Sequence, residues 1–220
     1  ADVERVAGAL HDLDARFQSG AFGLDDRFED GHSAIEADLT EHLGELGKRI
    51  HLGRSRNDQV AVALRLFMLD HLREVRALAT DAQQTAEYLA QTHAGTPMPG
   101  YTHLQRAMPS SVDLWMGSFA EGFRDVAHLA KLTGEWIDSS PLGTAAGYGV
   151  PLPLDREGVA QELGFDRVQE NPMQVQAARG RYEFQVLSVG WQALQEVRRL
   201  AWDLVLFSTQ EFAFVTLGPG

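Results

Sequence analysis

The sequence predicts an all-α chain built on long antiparallel helices. Three observations carry this. Apolar residues recur at alternating steps of three and four along three extended stretches, the period of one buried helical stripe. Convincing strand alternation is absent. Glycine and proline, the strongest local breakers, cluster in a few interruptions between those stretches.

Taken in order, Val3 to Phe17 and His32 to Leu43 read as short amphipathic helices, with Gly20 and Gly23 between them. Gly44, Gly47 and Gly53 then mark turns and a predicted domain boundary near residue 53. This divides a helical N-terminal remainder, 1–53, from a bundle region, 54–220. From Arg56 to Ala94 no proline interrupts a stripe of Leu64, Met68, Leu72, Val75, Ala79, Ala82, Ala86 and Leu89. A helix of that length spans roughly 58 Å. Met98 to Met108, between two interruptions, allows a short hairpin. A second stripe runs Val112, Met116, Phe119, Phe123, Val126, Ala130, Ile137, with Ser110 or Ser111 placed as N-cap. A third runs Tyr182, Val186, Val189, Ala193, Val197, Leu200, Leu204, Phe207. Three such rods pack as an antiparallel bundle. They leave apolar faces over, since Val60, Val62, Leu66, Phe67 and Leu69 lie off the first stripe. Surplus faces point to helices of other subunits.

The chain has 220 residues, enough for one large domain, and 44% of them are hydrophobic, which argues against wholesale disorder. A net charge of −12 repels phosphate backbones and makes nucleic acid a poor partner. With no cysteine there are no disulfides or thiolate metal sites. No basic-then-apolar leader opens the sequence and no stretch is long enough to cross a bilayer, so a cytoplasmic protein without a membrane role is expected. The absent methionine at the start, and an end at Leu217-Gly218-Pro219-Gly220, lead us to expect a fragment or a chain cut at a loop.

Two segments concentrate polar chemistry. Gly53-Arg54-Ser55-Arg56-Asn57-Asp58-Gln59 opens the longest helix. Ser55 is placed to cap it, and free N–H groups with the helix dipole favour a bound carboxylate. Arg56 can pair bidentately with such a group and Asn57 adds an amide donor. Ordinary capping with solvated arginines accounts for the same residues. Pro99-Gly100-Tyr101-Thr102-His103-Leu104-Gln105-Arg106 lies between two rods, where function is often carried. Histidine is the side chain suited to proton transfer near neutral pH, and His103 has Thr102 and Gln105 as hydrogen-bonding neighbours. A loop histidine bonded to a backbone carbonyl is the plainer alternative.

Other chemistries find less support. The eight histidines contain no His-x-x-x-His pair. Gly143 to Gly149 lacks the Lys-Ser/Thr of a phosphate loop. No Gly-x-Ser-x-Gly elbow is present. The four tryptophans lie on or beside the stripes and read as core or interface.

Four segments taken together are similar to argininosuccinate lyases, within the aspartase and fumarase superfamily. They are Glu29-Asp30-Gly31-His32-Ser33-Ala34-Ile35-Glu36, the Ser55-Arg56-Asn57-Asp58-Gln59 string, Gly100-Tyr101-Thr102-His103-Leu104-Gln105, and Ser140-Pro141-Leu142-Gly143. The resemblance covers nearly the whole chain. It implies the long antiparallel bundle of the fumarase/aspartase type, a homotetramer whose active sites gather residues from three subunits, and no cofactor or metal. It implies a β-elimination that splits argininosuccinate into arginine and fumarate in arginine biosynthesis. By position, His103 takes part in proton transfer, Ser55, Arg56, Asn57 and Thr102 hold the small-molecule substrate, Gln105 is a further contact, and His32 lies near the site. Adenylosuccinate lyases and the non-catalytic lens delta-crystallins are the alternatives within the same group.

Three departures accompany the likeness. The family's serine-bearing mobile loop is expected just after Gly220, and its opening substrate-binding segment before Ala1. The stretch Ala177-Ala178-Arg179-Gly180 matches the family's Ser-Asp-Arg-Asp only at the arginine. Thr144 to Val150 also departs from the common pattern. Lacking the serine loop, the 220 residues alone are expected to be inactive.

Overall fold

The structure is a computed structural model and describes residues 2–218. Its elements are α1 (Asp2–Gln18), α2 (Gly31–Leu43), α3 (Glu45–Lys48), a 3-10 turn (Arg49–His51), α4 (Arg56–Thr92), β1 (Pro97–Thr102), β2 (Gln105–Ser111), α5 (Val112–Ile137), α6 (Arg156–Glu162), α7 (Pro172–Ala177) and α8 (Arg181–Phe207). The all-α architecture with a long-helix bundle is therefore present, and β1 and β2 form one hairpin within it. Contacts divide the chain into two compact units. One takes the residues up to Val62 with Ser140–Ala177, the other Ala63–Ser139 with Ala178 onward.

In the first unit, α1 is tied to α2 by Arg16, whose guanidinium donates to both oxygens of Asp38 at 2.9 and 2.6 Å. Leu13 of α1 and Ala34 and Leu39 of α2 are buried. Asp30 caps α2, accepting the backbone N–H of Ser33 at 2.8 Å. Downstream, Ser140 and Val168 form an isolated parallel bridge. Arg156 reinforces it by donating to the carbonyls of Leu142 and Gln169.

In the second unit, the predicted stripe of α5 is its buried face. Met116, Phe119, Ala120 and Phe123 pack on Ala86 of α4, and Val126 and Ala127 pack on Ala79. Numbers rise on α5 as they fall on α4, so the two run antiparallel. The same holds for α8: Trp115 Nε1 donates to Asp203 and Gln185 donates to Thr133. Ser111 is the N-cap of α5. At its other end the buried Arg65 donates to the carbonyls of Ile137 and Ser139 at 2.7 and 2.9 Å, and its guanidinium lies 4.0 Å from the ring centre of Tyr182. A cation there meets the carbonyls and negative dipole that a helix leaves open.

Three details differ from expectation. Helix α4 stops at Thr92 rather than Ala94, because Gly95 turns with φ +73°. Leu64 and Leu89, at the ends of the first stripe, are more than a third exposed, while Leu69 off the stripe is buried. On α8 only Val189 is fully enclosed. A helix packed along one side buries one line of side chains. The other side of α8 presents Phe184, Leu187, Trp191, Leu194, Trp202 and Val205 outward.

Candidate functional site

The polar turn opening α4 is built by local capping. Ser55 Oγ accepts the backbone N–H and the side-chain amide of Asn57, both at 3.3 Å. The carboxylate of Asp58 returns to the Ser55 N–H at 2.9 Å. The return bond from Asp58 is that of a capping box with Asp in the place of Glu, while the Ser55 hydroxyl caps the second helical residue instead of the third. Arg56 points elsewhere: its Nη1 donates to Glu29 and Asp30, each at 2.9 Å. The two carboxylates raise the guanidinium pKa further above its ordinary value. Asp30 is pulled below the usual carboxylate range, first by the Ser33 N–H and then, after its hydroxyl, by Arg56. Through Arg56 the segment bearing the half-buried His32 is joined to Ser55, Arg56 and Asn57.

Asp58 reaches further. Its second oxygen accepts the N–H groups of Gly143 at 3.2 Å and Ala145 at 2.9 Å. Both loop residues have positive φ, +85° and +49°. A Cβ on Gly143 would meet the Arg156 side chain at 2.8 Å, so the position needs glycine on two counts.

His103, Thr102 and Gln105 belong to the other unit, at the tip of the hairpin. Thr102 pairs with Gln105, leaving His103 and Leu104 as a two-residue turn with φ +51° and +59°. Such a turn matches the twist of the strands but requires positive φ twice, for which Asn-Gly is the usual solution. Two L-residues with side chains pay strain of about 1–2 kcal/mol each. Strain of this kind gathers at functional positions. All four tip residues are exposed, Leu104 by 70%. The base of the hairpin is firm. Tyr101 meets Phe212 edge-on at 5.2 Å, and Ala107 and Met108 of β2 bulge opposite the single residue Gly100, where a Cβ would sit 2.9 Å from the Met108 carbonyl.

An apolar cavity of about 710 Å³ lies in the second unit between α4, α5 and α8, lined by Leu89, Trp115 and Leu204 among others. None of the candidate residues lines it. Among the described residues no group of three or more His, Asp or Glu is arranged to hold a metal.

The sequence profile of the lyase family matches residues 1–218. The chain belongs to the lyase family. Curated relatives include an argininosuccinate lyase of Xanthomonas campestris pathovar campestris, 50% identical over 218 residues, covering 98% of this chain and 51% of the relative. Another is the argininosuccinate lyase of Xylella fastidiosa, 49% identical over 218 residues, covering 99% and 49%. The lyase chain thus spans about half the length of the curated relatives it matches. Among solved structures, an EDDS lyase variant with bound fumarate superposes with TM-score 0.86 at 25% identity, over 97% of this chain and 41% of that one. A beta-carboxy-cis,cis-muconate cycloisomerase of Acinetobacter calcoaceticus, at 19% identity and TM-score 0.75 over 96% of this chain and 50% of that one, shares the fold.

In this lyase, the polar turn is satisfied within its own unit: the N–H groups of Ser55 and Asn57 go to Asp58 and Ser55, and the Arg56 cation goes to Glu29 and Asp30. The His103 ring lies exposed at the hairpin tip. Sequence reasoning named Glu29, Asp30 and Asp58 without giving them work. The Ser-x-x-Asp spacing from Ser55 was the signal available for Asp58. Nothing local signalled its second partner.

Proposed function

We propose that the chain is the middle part of an argininosuccinate lyase, cleaving argininosuccinate to L-arginine and fumarate in arginine biosynthesis. The observation that carries this is 50% identity to a relative of that name across 98% of the chain. In the reaction a base takes a proton from the succinyl carbon next to a carboxylate. The electron pair left behind forms the fumarate double bond as the carbon–nitrogen bond breaks, and the guanidino nitrogen leaves with a proton from a general acid. The intermediate concentrates negative charge on the adjacent carboxylate, which fixed donors stabilise. His103 takes part in the proton transfer. Ser55, Arg56, Asn57, Thr102 and Gln105 hold the substrate, with His32 close by. The elimination needs no cofactor.

The reading extends to a cytoplasmic homotetramer with shared active sites, and to a division between a helical part, 1–53, and a bundle part, 54–220. The outward apolar face of α8 supports the assembly, since contiguous faces of this kind are normally covered. The test is to give the complete protein argininosuccinate and, separately, adenylosuccinate, and to follow fumarate by its ultraviolet absorbance. Fumarate from argininosuccinate alone is expected. Turnover of adenylosuccinate instead, or of neither, would sink the reading. Residues 1–220 by themselves are expected to release none.

A further inference from the structure

Asp58 is completely buried, and all three of its partners are backbone N–H groups. Taking a carboxylate out of water is costly, and capping alone does not demand it, because Ser, Asn or Thr caps a helix from the surface. A carboxylate has a distinct capacity: both oxygens accept and neither donates. Here one oxygen serves the turn of α4 and the other the 143–145 loop. An amide in the same place would aim its NH₂ at N–H groups on one side or the other. The loop is strained at Ala145, whose φ is positive, whereas Gly143 takes its positive φ without cost. Between them Thr144 is fully buried and donates to the Pro141 carbonyl at 2.8 Å. The turn bearing Ser55, Arg56 and Asn57 therefore cannot shift without the loop shifting too.

We propose that Asp58 is a positioning residue: by clamping the α4 turn to the 143–145 loop, it sets Ser55 and Asn57 at the spacing a succinyl carboxylate requires. The inference rests on the lyase reading above. Asp58 touches no substrate and acts through its neighbours.

The test compares Asp58→Asn with Thr144→Ala in the complete protein. The second loosens the same loop but leaves the carboxylate. Asp58→Asn is expected to raise KM for argininosuccinate and the inhibition constant for fumarate together, at least ten-fold, well below its Tm. Thr144→Ala is expected to lower Tm and leave both constants within two-fold. Should Asp58→Asn not fold, Asp58→Glu keeps the charge but pushes the loop away by one methylene, and a rise of at least three-fold is expected. Wild-type constants in the variant that folds overturn the proposal while leaving the lyase reading intact. Equal rises in Asp58→Asn and Thr144→Ala also overturn it, as they would reflect loop stability alone. A wild-type protein that releases no fumarate overturns both.

Discussion

Two substitutions on α8, two residues apart, should fail in opposite ways. Leu187 is 73% exposed and Val189 is fully buried. Phe184, Leu187, Trp191 and Leu194 together form an outward ridge, each about two-thirds exposed. Full burial of such side chains is worth ~1.5–3 kcal/mol each, so a covering helix would gain about 1–2 from each, or roughly 4–8 kcal/mol from the four. Leu187→Asp forfeits one share and adds the desolvation of an unpaired carboxylate, several kcal/mol more. Together these reach at least ~4 kcal/mol, about a thousand-fold in dissociation constant. Within one chain the same change should matter little, because the side chain already faces outward. Val189→Asp instead buries a charge against α5, at a cost comparable with the whole stability of a domain of ~5–15 kcal/mol. Sedimentation velocity and circular dichroism on the complete protein separate the two. Leu187→Asp should give smaller species with helical content kept, and Val189→Asp should give no folded protein. Leu187→Asp sedimenting as wild type at micromolar concentration would refute the idea that this ridge is an assembly surface.

His103→Asn should cut kcat by about 10²–10⁴-fold with the assembly unchanged, because it removes the imidazole while keeping a small polar side chain; near-normal turnover removes His103 from the mechanism. Leu104→Gly relieves ~1–2 kcal/mol of turn strain at φ +59° and returns ~0.5–1 through the freer unfolded chain. Tm should rise by about 1–4 °C, while a looser tip should cost 10- to 100-fold in kcat; a gain in Tm with kcat intact would separate the strain from the chemistry. Asp30 has a depressed pKa, so its capping contribution is fully present above the ordinary carboxylate range and is lost as pH falls through the folded value. The Tm advantage of wild type over Asp30→Ala should hold from neutrality to about pH 4 and shrink below it; an advantage unchanged in stronger acid contradicts the assignment of the cap.

Helix α5 was legible almost residue by residue, because one face meets its neighbours and its stripe follows that face. Helix α8 was legible as a helix but not as a two-sided one: periodicity records apolar residues, not what covers them. At the candidate site, Ser55 as a cap followed from its place before the helix. The bond from Asp58 to Gly143 and Ala145 spans 85 and 87 positions, and no local rule reaches so far. The left-handed turn at His103 and Leu104 was hidden for another reason. Neither residue favours that conformation, and strand pairing on both sides imposes it.

The hairpin of β1 and β2 also limits how the sequence can drift. With a two-residue turn at one end and the Ala107–Met108 bulge opposite Gly100 in its middle, the ladder has no slack. Exchanging one amino acid for another leaves the reading frame of the ladder alone. Adding or deleting one changes the parity of every position between the bulge and the tip, so side chains trade faces. Tyr101 would then turn away from Phe212. This stretch is open to spelling changes and closed to changes in length, and homologous chains should accept insertions on either side of it before accepting one inside.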